Sequence, residues 1–382
     1  MISSRFSAPA ASLAFALLGS MSCGVRTSPS VECAIPVETT LRATWIAAPR
    51  QLDVVTFIDV TGSMRRELLA FRARAAELTA AFYHLAPEVR VTLGIVSAEG
   101  GVVGSLGFRS GDPVVTEHDL GSAADFLTDG GDPPEDQLAG PYAFLIRDAA
   151  RFRPTPSEPC SAPLFGLGCL DPTVPRVFLL ATDGPFHLGP GGRNPYPTTD
   201  PQPLWNFETV VDLLQTTHTR LVAGYGNSGG VVEQDVEPLV RLSGAVRPDG
   251  SAIAIEGQDE AAVDALLTAL DEWRTLVPYD LSVRASVLDA DAALVRSVRI
   301  ARISPTPTGP MGDDRAAGVA RGATVELEVE VDPARVRPGR TAHIELQLLD
   351  ADIQVLDRIE LVYVRPLNAF GSCVEDGGVW AD

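Results

Sequence analysis

The stretch that decides the fold is DVVTFIDVTGSM, Asp53–Met64. Apolar residues crowd up to Asp59, and the chain then turns at once to small hydroxyl residues and a glycine. A short apolar run bounded in this way is the pattern of a buried strand of a parallel sheet. A carboxylate closing such a strand lies where open parallel sheets bind ligands, beyond the carboxyl ends of the strands at a point where the chain order reverses.

Outward from this stretch, strands alternate with helices from Asp53 to about Leu276. Leu68, Phe71, Ala75, Leu78 and Phe82 recur at helical spacing and predict one helix over Met64–Leu85. RVTLGIVS and VVGSLGF read as the next strands, and a helix is expected around Glu135–Arg151. There follow the strand RVFLLATD, the helix FETVVDLLQTTH, the strand RLVAGYG, the helix EQDVEPLVRLSG, the strand SAIAIE and the amphipathic helix DEAAVDALLTALDEWRTL. Such alternation predicts an α/β unit, a doubly wound and mostly parallel sheet with helices on both faces.

After Leu276 the helical pattern stops. DLSVRASVL, SVRIARI, TVELEVEV, AHIELQLL and RIELVYV read as strands. In TVELEVEV, Val325, Leu327, Val329 and Val331 face one way and Glu326, Glu328 and Glu330 the other, as one buried face requires. These strands predict an all-β antiparallel sandwich, with Ser304–Gly318 as an exposed loop. TLRATWIA, ahead of the α/β unit, alternates like a half-buried strand. The expected division is a signal peptide over 1–22, a tether over 23–37, a first sandwich strand within 38–50, the α/β domain over 51–276, the rest of the sandwich over 277–366 and a tail over 367–382.

The chain has 382 residues, 45% of them hydrophobic, and a net charge of −20, so it is globular and a poor match for nucleic acid, which binds basic surfaces. All 30 basic residues are Arg, which excludes a Walker-type phosphate Lys, a Schiff-base Lys and a Ser–Lys dyad. Arg5, the apolar core Ala11–Gly19 and the small residues before Cys23 form an export signal, and the core is shorter than the roughly 18–20 residues that span a bilayer. Cleavage before Cys23 suits ordinary signal peptidase or lipoprotein processing; Ser20 stands where a lipobox usually has Leu, whereas lipid on Cys23 would leave an even number of thiols. The expected disulfides are Cys160–Cys169 and Cys33–Cys373, in an oxidising compartment of the bacterial cell envelope.

Asp183 closes a second strand, and DGGDPPED, Asp129–Asp136, is a turn rich in carboxylates before a helix. Asp59, Thr61 and Ser63 with these two turns offer oxygen and no sulfur, which suits a hard cation: Mg²⁺, Mn²⁺ or Ca²⁺. Asp, Thr and Ser before a helix also serve as ordinary N-caps, so the competing reading is structural.

Here the chain resembles the von Willebrand factor A domain with its metal-ion-dependent adhesion site, and most of all the I-like domain of integrin β subunits. The D-x-S-x-S motif is matched by Asp59, Thr61 and Ser63, the D-x-P-E turn by DPPE with Glu135, and the T-D-x-x-F-H segment by TDGPFH with Asp183. The resemblance extends over roughly Glu38 to Pro366, because an integrin I-like domain is inserted into a β-sandwich. It implies one divalent cation, Mg²⁺ first, with Thr61, Ser63 and Glu135 as ligands and Asp59 and Asp183 acting through water. A partner's Asp or Glu would complete the coordination, and the bordering loop Gly184–Trp205 would select the partner. The chain departs from integrins at Arg66 and Glu67, where acidic ligands of an adjacent metal stand, so that site is expected to be absent. Gly130 replaces an Asn of a third site, leaving Asp132 as its one candidate ligand.

The function expected is therefore a metal-dependent adhesion or protein-binding module of the cell envelope, not an enzyme. The alternatives are a structural envelope lipoprotein that retains only the fold, and a metal-dependent hydrolase. Against the hydrolase, His84, His118, His187, His218 and His343 are scattered, without an H-E-x-x-H or G-x-S-x-G motif. Neither Asp59 nor Glu135 belongs to an apolar set, so replacing either by Ala is expected to spare the fold, and relief of repulsion to stabilise it slightly.

Overall fold

The computed structural model describes residues 39–96, 103–106, 137–146, 152–153, 170–188, 193–194, 205–226, 230–289, 292–337 and 339–365. The chain enters through β1 (Thr39–Ile46), which belongs to the sandwich, and then forms β2 (Gln51–Asp59), the strand of the opening motif. With β3 (Glu88–Val96), β4 (Val103–Leu106), β5 (Phe152–Arg153), β6 (Arg176–Thr182), β7 (Arg220–Tyr225) and β8 (Ala254–Glu256), it builds a seven-stranded sheet. The order is β5-β4-β3-β2-β6-β7-β8, parallel except between β3 and β4. Residues Leu52–Asp59 and all of β6 are buried, as central strands covered on both faces must be.

The helices are α1 (Arg65–Ala73), α2 (Ala75–Tyr83), α3 (Ala139–Ile146), α4 (Phe207–Thr216), α5 (Glu233–Leu242) and α6 (Ala261–Leu276). One group, α1, α2 and α6, packs together; α3, α4 and α5 form the other. Phe57 of β2, Phe178 of β6 and Phe144 of α3 meet edge to face, with ring centroids 5.1–6.0 Å apart, and anchor α3 on the sheet. The fold class is thus α/β with a mostly parallel sheet, plus a separate β domain. Among the described residues no helix is long and apolar enough to cross a membrane.

The single helix expected over Met64–Leu85 is two. A 3-10 turn, Gly62–Met64, precedes α1, and the chain breaks at Arg74 (φ −115°, ψ 21°). Arg74 binds Glu77 and, across to α6, Asp264 at 2.7 Å, so tertiary contacts hold the break that the apolar period alone does not register.

The second domain comprises β9 (Tyr279–Val287), β10 (Val295–Ser304), β11 (Arg315–Val319), β12 (Thr324–Val331), β13 (Thr341–Asp350) and β14 (Gln354–Val364). Two antiparallel sheets result, β1-β12-β10 and β11-β9-β13-β14, packed on a core from both. On β12 the period-two reading holds: Val325, Leu327, Val329 and Val331 are buried. On the other face Arg42, Glu328 and Arg299 lie side by side in register, with Arg42 2.9 Å from Glu328 and Arg299 bonded to it. Ser304–Gly318 is not wholly a loop, because β11 begins at Arg315 and pairs with β9.

The two domains meet where α6 passes into β9. The Arg321 guanidinium lies 4.0 Å from the Trp273 ring centroid and 4.5 Å from that of Tyr279, and Nε donates to the Val277 carbonyl at 2.9 Å. A half-buried cation is tolerated there because two aromatic faces and a carbonyl replace part of its water.

Candidate functional site

Strand β2 has β3 on one side and β6 on the other, so the direction of winding reverses between β2 and β6. The register pairs Ile58 with Ala181, which brings Asp59 beside Thr182 and sets Asp183 at the same sheet edge. This is the topological switch point at which an open α/β sheet leaves a crevice.

Asp59 is wholly buried. Its Oδ1 accepts the Thr61 N–H at 2.9 Å; its Oδ2 accepts the Gln137 amide at 2.6 Å and the Thr182 hydroxyl at 2.9 Å. Three donors on one carboxylate replace its hydration and fix its orientation. Thr61 occupies the N-cap position of the 3-10 turn but makes no capping bond. Its hydroxyl instead lies 3.1 Å from Ser63 Oγ, and Ser63 donates to Asp183 Oδ1 at 2.8 Å. The N-cap explanation therefore does not account for either hydroxyl. The two side chains, with Asp183, form a continuous row of oxygens.

Asp183 is pushed up to about 6, chiefly by burial; the Ser63 bond opposes the shift, and the negative charges of Asp59 and Glu67 add to it. A Cβ on Gly226, at the end of β7, would stand 2.7 Å from Asp183 Cβ, while the Gly226 N–H donates to the Thr182 carbonyl at 2.8 Å. Only glycine lets β7 approach Asp183 this closely.

The structure thus brings together Asp59, Thr61, Ser63 and Asp183. Glu135 and Asp132 lie outside the described residues, as do Cys23, Cys33, Cys160, Cys169 and Cys373. Among the described residues no group of three or more His, Cys, Asp or Glu side chains gathers; the site carries two carboxylates and two hydroxyls. This oxygen-only set, with one carboxylate that burial and like charge leave poorly stabilised, fits a hard cation.

Sequence reasoning missed Gln137 and Gly226, and it gave Thr182, the first residue of TDGPFH, no role of its own. A polar residue after an acidic turn carries no signal of its own. Asp59 lies at the centre of a buried hydrogen-bond network, and its removal would strand three donors, which weighs against the expectation that Asp59→Ala is slightly stabilising. At the departures from the integrin pattern, Arg66 lies 3.5 Å from Asp259, and buried Glu67 accepts the Asp259 N–H at 2.9 Å. Both tie α1 to the lead-in of α6. In the loop after Asp183, buried Asp235 of α5 accepts the Phe186 N–H at 3.0 Å and pairs with Arg193. His187 Nδ1 is engaged with the Asn194 carbonyl at 2.8 Å.

No family model matches the chain, and neither does any curated protein sequence. Solved structures do. A von Willebrand factor type A protein from Catenulispora acidiphila is 14% identical, with 87% of this chain and 70% of that one covered and a TM-score of 0.39. The pilus adhesin SpaC from Lactobacillus rhamnosus GG, in an open conformation, is 13% identical over 87% of this chain and 46% of its own, with a TM-score of 0.36. An ArnB paralog from Sulfolobus acidocaldarius is 10% identical over 87% and 72%, with a TM-score of 0.34. The chain spans less than half the length of the adhesin. The strand order and helix placement described above stand independently of these likenesses.

Proposed function

We propose that the chain is an exported, divalent-cation-dependent protein-binding module of the von Willebrand factor A type. The observation that carries this reading is the row of oxygens from Thr61 through Ser63 to Asp183, set at the switch point beside a buried, fully bonded Asp59. Thr61, Ser63 and Glu135 would hold the cation, Mg²⁺ or Mn²⁺ foremost, with Asp59 and Asp183 in support. Glu135 is two residues from Gln137, about 7.6 Å of chain at most, and Gln137 touches Asp59. When bound, the cation supplies an exchangeable position for an oxygen of a partner's Asp or Glu. Asp59 keeps the turn that bears Thr61 and Ser63 fixed through the Thr61 N–H. The loop after Asp183, pinned by Asp235 and Arg193, borders the approach and would select among partners.

Calorimetric titration of chelator-treated protein with Mg²⁺ and Mn²⁺ tests the reading. Wild type is expected to bind one ion at or below millimolar concentration, Ser63→Ala at least tenfold more weakly, and Arg66→Ala like wild type. No binding by wild type would leave the structural envelope reading in its place.

Export and anchoring belong to the same proposal, with lipid on Cys23 and two disulfides in the mature protein. Tyr363, near the end of β14, bonds Thr39 at the start of β1, so the chain enters and leaves the sandwich at one place. Non-reducing peptide mapping is expected to recover Cys33 joined to Cys373; Cys33 joined to Cys160 would refute the pairing.

A further inference from the structure

We infer that Gln137 is a positioning residue of the cation site, fixing both the orientation of Asp59 and the direction of the Thr182 hydroxyl; the inference rests on the cation-binding reading. Gln137 is wholly buried. Its amide nitrogen lies 2.6 Å from Asp59 Oδ2 and 2.8 Å from Thr182 Oγ1. The amide presents its nitrogen, its donor end, to Asp59 Oδ2, and its second N–H falls on Thr182. Thr182 Oγ1 also receives the Gly184 N–H at 3.3 Å. With its lone pairs so engaged, the Thr182 hydroxyl directs its own proton to Asp59 Oδ2, at 2.9 Å. One amide therefore sets two of the three bonds on Asp59.

Other residues of similar size cannot do this. Leu or Met offers no donor, and Glu would turn lone pairs toward Asp59 Oδ2. Without the amide, Asp59 Oδ2 loses its shortest bond, and the Thr182 hydroxyl is oriented only by the long Gly184 contact. Asp59 and the turn bearing Thr61 and Ser63 would then lose their common orientation. Partners that orient groups at a metal site in this way typically matter about 10–100-fold in affinity. Gln137, at the lead-in to α3, also ties that segment to the ends of β2 and β6, so one side chain couples the turns that bear Asp59 and Asp183.

The test uses Mn²⁺ as probe on the full mature chain, with affinity and the electron paramagnetic resonance line shape of the bound ion as readouts. Gln137→Met is expected to weaken Mn²⁺ binding at least tenfold and to alter the line shape of the ion that still binds. Gln137→Glu, which keeps the size and polarity of the site should the Met variant fail to fold, is expected to alter the line shape as well. If wild type binds no Mn²⁺, the cation reading and this inference fall together. If wild type binds and both variants match it in affinity and line shape, the inference alone falls. Weaker binding with a wild-type line shape and a lowered unfolding midpoint would make Gln137 a structural crosslink and likewise overturn it.

Discussion

Asp59→Ala is expected to abolish measurable Mg²⁺ and Mn²⁺ binding and to lower the stability of the metal-free protein by about 3 kcal/mol or more. The second effect follows from burial. Asp59 is wholly inaccessible, and its two oxygens accept from the Thr61 N–H, the Gln137 amide and the Thr182 hydroxyl. Each donor left buried without an acceptor costs about 1–3 kcal/mol, and a water entering the small void recovers part of that. Relief of repulsion with Asp183 works in the opposite direction but is smaller, because Asp59 is the better solvated of the pair by its own donors. Urea unfolding of chelated wild type and variant measures the difference. Asp59→Asn should fall between them in stability, since its carbonyl still accepts while its amide faces donors, and should bind the cation no better than the Ala variant. Equal stability of Asp59→Ala and wild type would mean that the three bonds do not hold the site together.

That outcome reverses what the amino-acid pattern suggests, and the reason is general. The pattern reads hydrophobic sets, so a carboxylate outside those sets looks dispensable to the fold. Strand β2 was legible because burial on both faces writes an apolar run, and β12 because burial on one face writes alternation. Asp59, Thr61, Ser63 and Asp183 were legible through their spacing at two strand ends. Gln137 was not, because a polar residue following an acidic turn has the composition of a solvated loop. Arg321 was hidden for the same reason: Ala-Arg-Gly is an ordinary turn until Trp273 and Tyr279 close on the guanidinium. The break at Arg74 depends on Asp264, nearly two hundred residues away, and no local window contains it.

The second large effect has opposite signs with and without the cation. Asp183→Asn is expected to stabilise the chelated protein above pH 6 and to leave it unchanged near pH 4 or below. In the native protein Asp183 is pushed up to about 6, first by burial and then by Asp59 and Glu67, against an ordinary value of 3.8. The native state therefore holds more protons than the unfolded chain between these two values, and stability falls as pH rises through that interval. Above pH 6 the charged carboxylate costs roughly 3 kcal/mol, and nearer 1–2 after allowance for its partial exposure to solvent. Asn removes that charge while its carbonyl still accepts from Ser63. Saturating Mg²⁺ should invert the order: binding stabilises the native wild type by RT ln(1 + [Mg²⁺]/Kd), about 2.7 kcal/mol at a hundredfold excess over Kd. The variant, lacking a charge the site uses, gains less. Denaturant midpoints from pH 4 to 8, with chelator and with Mg²⁺, should show the curves of wild type and variant converging at low pH and crossing when the ion is added. Curves that stay parallel across this range would show that Asp183 does not titrate as its surroundings imply. Convergence without crossing would show that its charge is buried for a reason other than a cation.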